Sequence, residues 1–172
     1  TTSGTTKNFT WDTVDRDDLL DVTDVKVYRQ GDYVETSSAG VTNFNSLVSK
    51  VDASQGWKLD LLFAPNLERN LGQAVLAGDI LTFTSYVPSD DSCTIEGRTQ
   101  LYALYYLTGT AYFKSVIGLD YGDRNNDNEK VLKRIDLGAG LSLTPNIHVG
   151  REAGSSAMIQ SSTGAVENID EI

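Results

Sequence analysis

Between Gly72 and Tyr112 the chain reads as consecutive β-strands separated by two turns of different kinds, and this stretch constrains the fold more than any other. Gln73 to Ala77 is short and apolar and is closed by Gly78-Asp79. A two-residue link that starts with glycine between β-rich runs signals a hairpin, because glycine takes positive φ without steric cost. From Ile80 to Val87 both alternating faces carry β-branched or aromatic residues, which predicts a strand covered on both sides. Pro88-Ser89-Asp90-Asp91-Ser92-Cys93 ends it, since proline lacks the ladder donor and Ser and Asp favour local side-chain turns. A third strand is expected over Gln100 to Leu107, ending at Thr108-Gly109, and a fourth over Ala111 to Ile117. Four antiparallel strands in succession form a meander, the unit of a β-propeller blade.

On either side of this meander the patterns are shorter. Thr1 to Thr10 is polar and Thr-rich, and residues 1–12 read as a flexible terminus. Thr1 in place of an initiator methionine predicts a processed chain or one cut from something longer. Thr13 with Arg16-Asp17-Asp18-Leu19-Leu20 has the makings of one capped helical turn. Val25 to Tyr28 alternates as a short strand does, and Asp32 to Thr42 is a loop. Phe44, Leu47, Val48 and Val51 fall at helical spacing and predict one short peripheral helix over 43–51. Trp57, Leu59 and Leu61 share a face of a further strand.

A weak internal repeat follows. Lys133 to Leu137 echoes Lys58 to Leu61, and Leu143 to Gly150 echoes Gly72 to Gly78, each pair leading into a β-rich run. The spacing is roughly 70 to 76 residues, longer than the ~40–50 of one propeller blade, with the Cys93 turn and an acidic insert supplying the excess. The expected fold is therefore all-β: a single domain over 1–172 forming a partial β-propeller of about three four-stranded antiparallel blades. Three blades leave open strand edges, so another chain or a missing N-terminal segment is expected to complete the ring.

The formal net charge of -10 argues against nucleic acid and anionic membranes as partners, because their phosphates would be repelled. No run approaches the ~20 apolar residues of a membrane helix, so membrane insertion is not expected. With 1 Cys and 1 His, zinc sites built on those ligands are excluded within the chain, leaving oxygen donors as its metal chemistry. The lone Cys93 is either a buried free thiol or paired outside the chain.

The acidic insert Asp120 to Glu129 is the leading chemical candidate. Asp123, Asn125 and Asp127 reproduce the D-x-N-x-D opening of a calcium loop, in which alternate side chains converge on one hard cation, and Glu129 would add its backbone carbonyl. Asn128 stands where such loops place glycine, and Arg134 where they place a bidentate glutamate, so water or a neighbouring loop would have to complete the shell. His148 has no Ser/Asp constellation near it in sequence and reads as a strand residue, and Tyr102, Tyr105, Tyr106 and Tyr112 read as blade packing rather than a sugar-stacking surface. No catalytic or cofactor-binding set is recognisable, and a non-enzymatic protein is expected.

Four pieces carry a resemblance to a known family: Asp18-Leu19-Leu20-Asp21-Val22-Thr23, Gly56-Trp57-Lys58-Leu59-Asp60-Leu61, the run from Phe83 through Pro88 and Cys93 with Leu101-Tyr102-Ala103-Leu104 and Thr108-Gly109, and Gln160 to Ala165. In this order they resemble the C-terminal propeller region of the PilY family, the type IV pilus tip-associated adhesins and biogenesis factors. The resemblance implies a location at the bacterial cell surface or pilus tip and roles in pilus biogenesis and cell adhesion. It also implies a calcium-binding propeller loop, minor pilins and a host or surface ligand as partners, and an interchain disulfide at Cys93. The family's shorter calcium loop places an acid where Val131 stands here. Two other readings compete: a fragment of a quinoprotein-type dehydrogenase propeller, and a structural filament subunit.

Overall fold

The computed structural model describes residues 13–37, 39–61, 68–89, 97–125, 128–149 and 155–170. A 3-10 turn at Arg16–Asp18 leads to β1 (Leu20–Asp21), β2 (Lys26–Val27), β3 (Val34–Glu35) and the helix α1 (Phe44–Asp52). Next come β4 (Trp57–Lys58), β5 (Arg69–Asn70), β6 (Val75–Ala77), β7 (Ile80–Val87) and β8 (Arg98–Tyr105). The chain closes with β9 (Leu119–Asn125), β10 (Asn128–Val131), β11 (Arg134–Ala139), β12 (Asn146–Val149), β13 (Ser155–Gln160) and β14 (Val166–Asp170). No described helix is long and apolar enough to cross a membrane.

The central sheet is the meander. β7 pairs along its whole length with β8, and its other edge is shared by β5, opposite Tyr86 and Ser85, and β6, opposite Ile80 to Thr82. β5 and β6 are thus two halves of one broken outer strand. The Gly78-Asp79 link turns as expected, with φ of 54° and 67°, the paired positive values that a two-residue hairpin needs to match strand twist. The fourth strand is not Ala111 to Ile117. β11 takes the free edge of β8, with Arg134 opposite Tyr102 and Asp136 opposite Gln100. Once β7 and β11 flank β8, no ladder edge remains for 111–117, and its aromatics pack sideways instead: Phe44 lies 5.8 Å from Tyr112 and 5.2 Å from Phe113 between ring centroids.

A second unit four strands wide, the first sheet in chain order, is assembled from distant segments. The hairpins β2–β3 and β9–β10 meet through the antiparallel bridge Tyr28↔Lys130 and the Arg29 N–H, which donates to the Glu129 carbonyl at 2.8 Å, giving the order β3-β2-β10-β9. The third sheet is the meander β12-β13-β14. With the parallel pair of β1 and β4, these sheets make an all-β partial β-propeller with one short helix among the described residues.

α1 forms as the 3.6-residue periodicity predicts. Asn43 caps it, its side chain accepting from Ser46 N–H at 2.9 Å while Ser46 Oγ accepts from Asn43 N–H at 3.2 Å. Its buried residues Phe44, Leu47 and Val51 join Val22, Val25, Val27, Val34 and Val131, so the helix covers the first sheet. β1 and β4 pair in parallel beside it, and Trp57 on β4 reaches the central sheet, donating from Nε1 to the Tyr106 carbonyl at 2.8 Å. Gly109, at φ 66°, closes the turn after β8 against this ring, where a Cβ would stand 2.2 Å from Trp57. Only glycine combines that backbone conformation with that approach.

Burial along β8 explains the stacking. Leu101 joins Ala157 and Ile159 on the side of the third sheet, whereas Tyr102 and Leu104 join Phe83, Trp57, Leu59 and Leu61 on the other. The central sheet is therefore covered on both faces, as its two-sided apolar pattern predicts.

Candidate functional site

The acidic insert folds as the hairpin β9–β10. In its ladder Asn128 stands opposite Asn125 and Glu129 opposite Arg124, and the next pair is Lys130 with Asp120. Residues 121–123 therefore bulge out of the ladder with no counterpart on β10, and this bulge carries Asp123. Bulges re-aim residues and free backbone groups, and they recur beside functional sites. The ends of the hairpin are pinned by charge: Lys130 Nζ lies 2.8 Å from Asp120 Oδ2, and Arg29 Nη1 lies 3.3 Å from Glu129 Oε2.

Of the four expected cation ligands, Glu129 has its side chain and carbonyl both engaged by Arg29. Asp123 and Asn125 have their backbone in β9, while their side chains and the whole of Asp127 lie outside the described residues, as does Cys93. The Asp90-Asp91 turn lies outside them too. Among the described residues no three His, Cys, Asp or Glu side chains group closely enough to share a metal.

Two polar constellations without a local sequence signature sit on the central sheet, the first among its own strands and the second at its border with the 23–27 segment. Glu68, whose side chain has 0% exposure, receives hydrogen bonds from Ser85 Oγ and from Tyr102 Oη at 3.0 Å, and Arg134 Nη1 approaches it at 3.5 Å. Arg134 also donates to Tyr102 Oη at 3.1 Å, and the Tyr102 ring stacks on Phe83 with centroids 4.8 Å apart. Burial pushes the Tyr102 hydroxyl up to about 12, with the Arg134 guanidinium opposing, so it stays protonated and serves as the donor to Glu68. Sealed from solvent, the Glu68 carboxylate ties β7, β8 and β11 together.

Lys133 forms the second constellation. Its ammonium crosses from the central sheet to donate to the Thr23 carbonyl at 2.7 Å, while its own carbonyl accepts from Ala103 N–H at 3.0 Å. Burial, and after it the neighbouring Arg134, pushes its amine down to about 8. Lys133 is one of the residues lining a cavity of about 420 Å3 between the 23–27 and 130–134 segments, with Asp24, Lys26 and Val131.

The remaining candidates are placed plainly. His148 is exposed on β12, opposite Ser156 in register. Tyr102 belongs to the Phe83 cluster, whereas Tyr105 and Tyr112, 4.8 Å apart, pack around Phe44 with Phe113. Tyr106, 41% exposed, lies in the turn after β8.

No family model matches the sequence, and no curated protein matches it. Among solved structures the crystal structure of the Pseudomonas aeruginosa PilY1 C-terminal domain is similar, with a TM-score of 0.54 and 14% sequence identity over 92% of this chain and 32% of that one. The chain thus spans about a third of the length of the chain it matches. At this identity the likeness is one of fold, and it relates the chain structurally to that domain.

Proposed function

We propose that the chain is a propeller segment of a larger, non-enzymatic protein of the bacterial surface that serves a type IV pilus as tip adhesin or biogenesis factor. The observation that carries this reading is the fold shared with the PilY1 C-terminal domain over nearly the whole chain but only a third of its counterpart. Its partners are the remaining propeller, the minor pilins and a host or surface ligand, and Cys93 is bonded outside the chain. Immunodetection of the natural protein in the sheared pilus fraction, with intact-mass analysis of what co-purifies, tests it. The expected result is a disulfide-linked or longer species in that fraction. A cytoplasmic distribution, or a bound quinone chromophore, overturns it.

In this reading a calcium ion joins the β9–β10 hairpin, held by Asp123, Asn125 and Asp127. A ligand that binds only the folded state stabilises it by about 2.7 kcal/mol at a hundredfold excess over its dissociation constant. Millimolar calcium is expected to raise the melting temperature of the protein, and Asp123→Ala to abolish the rise. A melting curve indifferent to calcium removes the ion from the proposal.

A further inference from the structure

With β5 and β6 taken as one broken outer strand, the central sheet is four strands wide, whereas the sheet of β12, β13 and β14 has three. β12 and β13 form a hairpin as β6 and β7 do, so β14 holds the position that β8 holds in the central sheet. β11 fills the far edge of β8, whereas among the described residues no strand pairs with the far edge of β14. We infer that this edge receives a fourth strand, an extended segment from outside this chain that brings a basic residue opposite Glu167 and an apolar residue opposite Ile169.

The register supplies the chemistry. Ala157 pairs with Ile169 and Ile159 with Glu167, and directly opposed residues share a face, so Ile169 and Glu167 occupy the face on which Ala157 and Ile159 pack against Leu101. Ile169 lines a cleft of about 170 Å3 with Ile80, Leu101, Ile117, Ile147 and Ala157. A strand added at β14 would set an apolar side chain beside this cleft. Glu167 is exposed on that inner face, and among the described residues no ion pair holds it. A charge on the inward side of an edge strand discourages pairing with a second copy of the same acidic strand. It favours a partner of opposite charge, because cross-strand ion pairs stabilise and like charges directly opposite destabilise. The central sheet has an ion pair between its last two strands as well, diagonal in register: Arg98 on β8 stands opposite Ala139 and places Nε 2.7 Å from Asp136 Oδ2 on β11.

This inference rests on the reading of the chain as a segment of a larger propeller, but its test is independent of the pilus. The full 172-residue chain is mixed with a synthetic peptide, Thr-Val-Thr-Lys-Thr-Val-Thr, or with the same peptide carrying Glu in place of Lys, and amide exchange is followed by NMR. The basic peptide is expected to slow exchange across β14 and to bind about fivefold tighter than the acidic one, the factor that a cross-strand ion pair of about 1 kcal/mol supplies. Glu167→Lys, at an exposed position, is expected to invert the preference, and Glu167→Gln to abolish it. Absence of protection on β14, protection confined to another edge, or a preference that survives Glu167→Lys overturns the inference. So does protection of β14 without peptide, whether the protein is a monomer or a dimer. Cell fractionation decides the pilus reading separately, so either can fail while the other stands.

Discussion

The central sheet is joined to its two neighbours by different chemistry. Toward the third sheet the joint is neutral: Leu101 meets Ala157 and Ile159, Thr84 Oγ1 donates to the carbonyls of Ser142 and Leu143 at 3.0 and 2.7 Å, and Thr99 Oγ1 donates to Gly140 at 2.6 Å. On the opposite face, apolar packing of Tyr102 and Leu104 against Trp57 is accompanied by charge: Glu68 is held by Ser85, Tyr102 and Arg134 of the sheet itself, and Lys133 reaches the Thr23 carbonyl. Neutral hydrogen bonds lose little when broken and do not titrate. Buried charges are satisfied only as a set, so removing one member exposes the desolvation cost of the others.

Glu68→Ala breaks the charged joint and Thr99→Val the neutral one. Removing one partner of a buried pair costs about 3–5 kcal/mol, and the lower end applies because the Arg134 side chain is 34% exposed and rehydrates. Thr99→Val removes the donor to Gly140 and the acceptor for Ser142 N–H, at 3.1 Å, for about 1–2 kcal/mol. Urea denaturation of the two variants checks the ranking. Equal losses would mean that the charged joint is no more than a set of ordinary hydrogen bonds.

The two joints also differ in how far the sequence announces them. α1 and β7 are plain from periodicity, since Phe44, Leu47 and Val51 share a helix face and Ile80 to Val87 alternates between turns with strong local chemistry. The apolar side of each joint follows, because β8 carries Leu101 and Leu104 for opposite faces. The choice of β11 over Ala111 to Ile117 as fourth strand does not follow. Both segments suit a strand, and the decision belongs to the long-range competition for one edge of β8. The first sheet is hidden for the same reason, as Arg29 and Glu129 meet across 100 residues. Glu68 has no local signature, because its burial is set by Ser85, Tyr102 and Arg134, which three different strands deliver. The D-x-N-x-D pattern at Asp123, Asn125 and Asp127 is visible in the sequence, but the hairpin and its bulge come from pairing with β10, which the motif does not encode.

The smaller effect lies in pH. Lys133 has an amine pushed down to about 8 when folded, first by burial and then by Arg134, with Asp24 and Asp21 acting in the opposite direction. Unfolded, it titrates near its ordinary value of 10.5. Between those values the unfolded chain binds more protons than the folded one, so stability rises as pH increases through that window. Below about 8 the amine is charged in both states and its burial cost is borne in full. Above pH 10 the sign changes at Tyr102: its folded value near 12 exceeds the ordinary 10, so the unfolded chain releases its proton first and stability falls. The melting temperature is therefore expected to climb by a few degrees from pH 8 to 10 against the background of the other groups. Lys133→Met should flatten that climb while keeping the stem's packing, and Thr99→Val, acting on the neutral joint, should leave it unchanged. A climb that persists in Lys133→Met would assign the titration to another group and leave the two joints alike in their response to pH.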